Sequence, residues 1–378
     1  MAGSRWSAPG GDGVKLCVTG DVMLGRGIDQ ILRHPGDPRI HERWMNSAVD
    51  YVTLAEQRSG PIPRRVPPGY VWGDALHLLR QAEPDVTVVN LETAVTDRGT
   101  PWPGKGIQYR VHPANVDVLS AAAVDVAVLA NNHVLDWSIP GLEQTLEVLE
   151  SSGVSAVGVG RDLMEAWAPA AVPVSSGSRV LVVAAGSASS GIPPEWAAGE
   201  GRPGVAFLAD LSDATADRIA AVVGSWAAPG DVVVMSLHWG PNWGYETPPE
   251  HQRFARSLID RAGVHIVHGH SSHHPLGIEV YQGRLILYGC GDLVTDYEGI
   301  RGHERYRGEL GALYLPTVDA RTGSLRTMEL VPTRMERFRL SRPPAEDVKW
   351  LATTLRRESE ALGTTITATD RGSLALEW

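Results

Sequence analysis

The stretch V-T-G-D-V-M-L-G-R, residues 18–26, leads from an apolar run into a glycine and then the carboxylate of Asp21. Two later stretches share this plan, L-A-N-N-H-V-L-D-W at residues 129–137 and V-H-G-H-S-S-H-H-P at residues 267–275. V-N-L-E-T around Glu92 and S-L-H-W-G around His238 add two more. Each apolar run predicts a buried strand that ends in a polar side chain. In open α/β sheets ligands bind at the carboxyl ends of strands, so these five ends are expected to converge.

The side chains at these strand ends are those that bind divalent metal ions. Carboxylate, amide oxygen and imidazole together suit Ca, Mn, Fe or Zn, and the choice depends on how many imidazoles coordinate. Taken singly, an Asp after Gly is often a turn or cap, and a lone His after a strand is often a hydrogen-bonded core residue. Their joint occurrence favours a metal site. The side chains at these ends are Asp21, Glu92, Asn132 with His133, His238, and His270 with His273.

The spacing of apolar residues predicts the fold class. Strands are predicted at residues 15–19, 86–89, 124–130, 180–185 and 232–237, with helices at 73–82, 114–122, 140–151, 214–226 and 249–262 between them. Such alternation is typical of an α/β protein with helices on both sheet faces. Short strands after residue 276 predict antiparallel hairpins, and the proline-rich residues 34–68 predict a long surface loop. We assign residues 1–13 to a flexible tail, 14–340 to one domain, and 341–378 to a helix and strand packed on it.

Composition limits the partners. The 378 residues are 43% hydrophobic and 21% charged, which is an ordinary globular balance. A net charge of -10 argues against nucleic acid or an anionic membrane surface as the main partner. The polar start lacks the apolar core of a signal peptide, and no apolar run is long enough to cross a bilayer. We therefore expect a cytoplasmic protein without membrane or nucleic-acid partners, and leave its oligomeric state open.

Two pairs of residues near the candidate ligands could transfer protons. Asp136 follows His133 by three residues, and Asp292 ends a strand after the histidine cluster that contains His270. A carboxylate beside a His fixes the tautomer of the imidazole and raises its basicity. The candidate catalytic residues are therefore His133, Asp136, His270 and Asp292. The alternative is that both Asp residues only cap turns.

Cationic and aromatic residues in the same loops are candidates for substrate binding. They are Arg26, Lys105, Arg110, Trp239 and Trp243. A Lys or Arg near the centre could bind a carboxylate or a phosphate, and the Trp loops could hold an aromatic side chain. The alternative for each cation is a solvated surface position, and most of the 12 tryptophans are expected in the core or scattered over the surface.

The order G-D, N-L-E, N-N-H, H-W-G and G-H-x-x-H resembles the CapA branch of the calcineurin-like metallophosphatase superfamily, over residues 16–333. The resemblance implies a four-layer α/β/β/α sandwich with a metal centre at the strand ends. By motif, the resemblance implies that His133 is at the position of the superfamily's general acid and that six candidate ligands are at metal positions: Asp21, Glu92, Asn132, His238, His270 and His273. Met23 departs from the pattern, because metallophosphatases usually have a His ligand there. We therefore expect one well-occupied divalent ion, not two.

Two enzyme classes fit these residues. The CapA-like family includes lasso-peptide epimerases, and two His/Asp pairs beside one metal suit proton exchange at a carbon next to a carboxylate. Our main hypothesis is thus a metal-dependent epimerase that inverts the Cα of the C-terminal residue, a Trp, of a ribosomal lasso-peptide precursor. The alternative is a metal-dependent phosphoesterase, or a poly-γ-glutamate capsule biosynthesis protein of the CapA type, with His133 protonating the leaving group. A non-catalytic role in capsule assembly or peptide binding is the third possibility.

Overall fold

A computed structural model describes residues 13–174 and 177–378 of the chain. Two stacked β-sheets form its centre, and helices cover them. The predicted tail lies outside the described residues except for Gly13, which begins the first strand.

Within those ranges the chain forms 21 strands and nine α-helices. The strands are β1 (Gly13–Val22), β2 (Val86–Leu91), β3 (Ala94–Val95), β4 (Arg110–Val111), β5 (Val126–Val128), β6 (Ser155–Val157), β7 (Val159–Gly160), β8 (Ala170–Pro173), β9 (Arg179–Ser187), β10 (Gly204–Val205), β11 (Phe207–Leu208), β12 (Val232–His238), β13 (Ile266–His270), β14 (Ile278–Tyr281), β15 (Arg284–Leu287), β16 (Asp292–Val294), β17 (Leu310–Asp319), β18 (Leu325–Glu336), β19 (Arg339–Ser341), β20 (Thr365–Ala368) and β21 (Leu374–Glu377). The helices are α1 (Gly27–Ile31), α2 (Val49–Ser59), α3 (Ala75–Ala82), α4 (Asp117–Ala121), α5 (Ser138–Ser152), α6 (Leu163–Ala166), α7 (Asp213–Trp226), α8 (Pro249–Ala262) and α9 (Ala345–Glu360).

Both sheets combine a parallel part with an antiparallel part. The first has the order β20-β21-β18-β17-β1-β2-β5-β6, with β16 beside β1 and β19 beside β18. Strands β1, β2, β5 and β6 run parallel, whereas β17, β18, β20 and β21 pair antiparallel. The second sheet has the order β11-β9-β12-β13-β15-β14, with β8 beside β9. The predicted change from alternating strands and helices to antiparallel hairpins is therefore confirmed.

Strand β12 shows how the layers stack. Val232 and Val234 belong to the hydrophobic cluster that contains the strands of the first sheet. Val233 and Met235 belong to a second cluster, which contains the buried faces of α7 and α8. Because successive side chains of a strand point to opposite faces, β12 must lie between the first sheet and these two helices. The four-layer α/β/β/α fold predicted from the sequence is confirmed.

The structure differs from the expected elements in one long segment. Residues 34–68 were expected to form a loop, but α2 occupies Val49–Ser59 within them and buries Tyr51, Val52 and Ala55. The intervening prolines and charges obscure this helix in the sequence. At the carboxyl end of the chain, β20 and β21 extend the first sheet beyond β18. None of the helices in the described ranges combines the length and the apolarity that a membrane crossing requires.

Gly20 permits the close strand packing on which the first carboxylate depends. A Cβ atom at this position would lie 1.6 Å from the carbonyl oxygen of Gly291. The Asp21 amide donates a hydrogen bond to the same carbonyl at 3.0 Å, which ties β1 to the loop before β16. A larger residue would push these two backbones apart and move Asp21.

We predict that Gly20→Ala lowers the free energy of unfolding by about 1–3 kcal/mol or more, because the methyl group overpacks against backbone. Urea denaturation measures the change. Gly224→Ala on α7 is the matched control. Apart from its chain neighbours and the backbone of its own helix, no atom of the described residues lies within 4 Å of the added Cβ, so alanine should be neutral or stabilising there. Equal stability of the Gly20 variant and the wild type would contradict the packing argument.

Candidate metal centre

The predicted strand ends meet at one place. Asp21 at the end of β1 is in register with Asn90 of β2 on one side and with Asp292 of β16 on the other. In the second sheet, His238 of β12 is in register with His270 of β13. The two sheets therefore bring their polar ends together across the sandwich.

Two groups of buried candidate ligand atoms share the residue Asp21. In one group, atoms of Asp21, His238 and His270 lie within 4.8 Å of one another, and in the other, atoms of Asp21, His273 and Asp292 do so. Glu92 is next to the first group, with its Oε1 3.9 Å from His238 Nε2. The remaining predicted ligand, Asn132, has its Oδ1 3.2 Å from the same nitrogen. All six candidate ligands thus lie together.

The carboxylates at this centre are crowded and incompletely partnered. Burial and the nearby Asp292 raise the pKa of Asp21 to about 6, and burial and Asp21 raise that of Glu92 well above its usual range. One oxygen each of Asp21 and Asp292 is buried without a hydrogen-bond donor in the described part of the chain. Buried acceptors without donors are rare and costly, and a cation would satisfy them and neutralise the charge. The donor set therefore fits a divalent metal ion.

The imidazoles of the second sheet suit the same ion. His238 and His270 approach through their Nδ1 atoms at 2.7 Å, and His270 Nε2 is 2.9 Å from the Ser236 hydroxyl. Burial lowers the pKa of both rings well below the usual value, so each is neutral at pH 7. A neutral imidazole has the free nitrogen lone pair that metal coordination requires.

His133 and Asp136 form a pair at one side of the centre. His133 Nδ1 lies 2.6 Å from Asp136 Oδ2, and its Nε2 points towards Glu92 Oε1 at 4.0 Å. Lys105 donates to Asp136 and to the Asn132 carbonyl, and its Nζ is 3.2 Å from His133 Nδ1. Burial and Lys105 lower the pKa of His133 to about 4. The ring is therefore neutral, with Nε2 the nitrogen nearer the metal ligands.

A second His–Asp pair lies at the centre, and it differs from the predicted one. His273 Nδ1 is 2.9 Å from Asp292 Oδ1, so the partner of Asp292 is His273. His270, which we had grouped with Asp292 as catalytic, is fully buried and bonded to Ser236 and His238. Its geometry is that of a ligand. The sequence could not separate the two because both histidines follow the same strand.

The predicted substrate-binding residues lie in three different places in the structure. Lys105 and Trp243 border the centre, the latter with its ring 5.3 Å from that of His273. Arg110 instead lines a separate cleft, stacked 3.7 Å from the Trp137 ring. Trp239 is buried in the core between His251 and Tyr288, so its prediction as a substrate residue is wrong.

The prediction for Arg26 also conflicts with its position, because the guanidinium is enclosed by protein. It bonds both oxygens of Asp296, at 3.0 and 2.5 Å, and Glu42 at 2.9 Å. The Tyr51 ring stacks on it at 3.7 Å. These contacts hold α1, α2 and the segment after β16 together beside the centre, so Arg26 supports the structure.

Arg26→Leu should lower the free energy of unfolding by about 3–5 kcal/mol, because it leaves the buried Asp296 and Glu42 without a counter-charge. Thermal and urea unfolding measure this loss. Arg33→Leu serves as the control, since that side chain is 54% exposed and only 4.0 Å from an equally exposed Asp117. If the Arg26→Leu variant were as stable as the wild type but had a raised KM, Arg26 would be a substrate-binding residue instead.

Three polar residues at the centre escaped the sequence prediction. Asn90 Nδ2 donates to Asp21 at 2.7 Å and to Glu92 at 2.8 Å. Asn131 Nδ2 donates to Asn90 Oδ1 at 3.0 Å, and Ser236 contacts His270. Asn90 and Ser236 each precede a predicted ligand by two residues, which places them on the same strand face. That period of two was the available signal.

Comparison with known proteins agrees with this geometry. The family model described as "Bacterial capsule synthesis protein PGA_cap" matches residues 15–297. The chain belongs to this family. The CapA resemblance predicted from the motifs is therefore confirmed at the level of the family, and the finer epimerase identity stays a hypothesis.

Relatives and solved structures extend the comparison. The chain is 47% identical, over 93% of both chains, to a probable polyglutamine synthesis accessory protein of Mycobacterium tuberculosis. It is 25% identical to the PGA biosynthesis protein CapA of Bacillus subtilis, over 75% of this chain and 64% of that one. The crystal structure of a phosphatase from Mycoplasma pneumoniae has a TM-score of 0.47 and 11% identity, covering 85% of this chain and 93% of its own.

Proposed function

We propose that this protein is a metal-dependent hydrolase of the CapA type, and that it cleaves an amide bond in a glutamate or glutamine polymer. The observation that carries the proposal is the group of buried carboxylates with unpartnered oxygens beside the His133–Asp136 pair. The printed names of its relatives, which refer to polyglutamine and PGA synthesis, support the polymer as the substrate class.

In such a reaction, different residues would hold the metal ion and transfer the proton. Asp21, Asp292, His238, His270 and His273 would hold the ion, with Glu92 and Asn132 beside them. When bound, a divalent ion supplies Lewis-acid polarisation of the substrate carbonyl. Asp136 binds Nδ1 of His133 and so leaves Nε2 to move a proton at the ligand side. In hydrolysis a water molecule adds to the carbonyl and the C–N bond breaks. The neutral Nε2 of His133 would accept a proton from that water and deliver it to the leaving amine.

A second candidate function is Cα epimerisation of a peptide, which one specific observation favours. Besides His133–Asp136, which lies beside the candidate ligands, a second His–Asp pair, His273–Asp292, lies among them. Inversion of a stereocentre needs an acceptor on one face of the carbon and a donor on the other. The two pairs supply groups of the right kind for that task, whereas hydrolysis requires only one of them.

Incubation of the metal-loaded protein in heavy water separates the candidates. Glutamate and glutamine oligomers, a peptide with a C-terminal Trp, and a phosphate monoester serve as substrates. We expect chelator-sensitive appearance of new amino termini from the oligomers, without deuterium at Cα. Deuterium uptake at one Cα of the peptide with no cleavage would establish the epimerase instead, and phosphate release alone would establish the phosphoesterase.

A further inference from the structure

A cleft of about 470 Å³ opens beside the loop that carries His273. We call it the aromatic cleft. Its lining residues are Gly244, Tyr245, Arg305, Tyr306, Trp350, Thr354 and Arg357. They come from the loop after β12, from the segment before β17 and from α9, so only the folded chain assembles them.

The charge of the aromatic cleft is opposite to that of the whole protein. Among the described residues that line it there are two arginines and no carboxylate, whereas the chain carries a net charge of -10. The guanidinium carbon of Arg305 lies 4.5 Å from the Tyr306 ring centroid, and that of Arg357 lies 5.1 Å from the Tyr245 ring. The two tyrosine rings are themselves 5.3 Å apart. The fold therefore places two cations side by side on one aromatic surface.

Both guanidiniums keep donors for a ligand. Arg305 donates to the Tyr306 hydroxyl, and Arg357 donates from Nε to Glu358, which is not part of the lining. A guanidinium has five N–H donors in a planar fork that matches a carboxylate. Stacking on a ring restrains the fork, so less entropy is lost when it binds.

Ring contacts connect the aromatic cleft directly to the loop that carries the metal ligands. The Tyr306 ring stacks on that of His274 at 4.5 Å, with 13° between the planes, and His274 directly follows the ligand His273. Trp243 contacts both sides, since its ring is 5.3 Å from His273 and 5.3 Å from Tyr306. A chain bound in the cleft would thus be held next to the loop that positions the metal ligands.

We propose that the aromatic cleft is a subsite for a carboxylate of the substrate, with Arg305 and Arg357 as its ligands and the tyrosines and Trp350 packing against the aliphatic chain that bears it. This assignment rests on the proposed function for the nature of the chain. It adds to it a specificity site that is separate from the metal centre and selects an acidic chain over a neutral one of the same length.

The test measures binding apart from turnover. Short synthetic glutamate and glutamine oligomers are titrated into the full-length protein at low salt, and heat and tryptophan fluorescence report binding. We expect the glutamate oligomer to bind, and Arg305→Gln with Arg357→Gln to weaken its affinity by about tenfold or more, since two charge-assisted contacts are lost. Arg253→Gln, an exposed arginine of α8 outside the cleft, is the matched control and should bind like the wild type.

Two results would overturn the subsite: equal affinity of the double variant and the wild type for the glutamate oligomer, or equal affinity of the wild type for both oligomers. The experiments distinguish failure of the subsite from failure of the proposed hydrolase. Cleft-dependent binding without metal-dependent cleavage would refute the proposed hydrolase and leave the subsite standing. Cleavage with an unchanged KM in the double variant would refute the subsite and leave the hydrolase standing.

Discussion

Exhaustive chelation of the purified protein should abolish its hydrolytic activity, and re-addition of a divalent ion should restore it. Without a cation the neighbouring Asp21 and Asp292 repel each other, and one buried oxygen on each has no donor within residues 13–174 and 177–378. Because the ion binds only the folded chain, it should also raise the unfolding temperature. At a hundredfold excess over its Kd the stabilisation is about 2.7 kcal/mol.

Elemental analysis and calorimetry with the metal alone give readouts that are independent of activity. Asp21→Asn should weaken metal binding, because Asp21 is common to both groups of ligand atoms. From Met23 we expect one stoichiometric ion per chain. Two ions per chain would contradict this count, and full activity after complete metal removal would contradict the metal requirement itself.

His133→Gln should lower kcat by about 10²–10⁴-fold, the usual contribution of a general acid or base. The amide keeps the approximate size of the ring but cannot carry a proton between two atoms. Metal content and unfolding temperature should stay close to those of the wild type, because His133 lies beside the candidate ligands without being one of them. Steady-state kinetics on the metal-loaded variant measures the effect.

The control for His133 is His77→Gln on α3, which makes the same change at an exposed position. It should leave kcat unchanged. If His133→Gln turns over normally while the control behaves as expected, His133 has a structural role and the proton must come from elsewhere. Asp136→Asn should show part of the same loss, since Asp136 binds Nδ1 of His133.

Much of the centre could be predicted because it lies at strand ends. A buried strand has a period of two and a definite end, so Asp21, Glu92 and His238 can be located from the apolar residues before them. The same reasoning predicts that the parallel strands share an edge. It misses Asn90 and Ser236, because a polar residue inside a strand resembles an ordinary interruption until its neighbours are known.

Most of the predicted substrate residues could not be placed in this way, because Arg26, Lys105, Trp239 and Trp243 lie outside the strands and helices. Arg26 and Trp239 follow strand ends as closely as the ligands do, yet one is enclosed by Asp296 and Glu42 and the other by His251 and Tyr288. Loop direction depends on contacts with distant segments. Helix α2 was missed for another reason, because the prolines and charges around it obscure the helical pattern. Arg305 and Arg357 are far apart in the chain and have no motif at all.

The sequence by itself determined the α/β class, because local periodicity carries that information, and its motifs, by their resemblance to CapA proteins, indicated the family and the six candidate ligands. Only the tertiary structure decided that His273 and not His270 pairs with Asp292, that Arg26 is a buried counter-ion, and that two distant arginines share an aromatic cleft. The physical reason is that hydrogen bonds and ion pairs form between side chains brought together by packing of the two sheets, and that packing is a property of the whole chain.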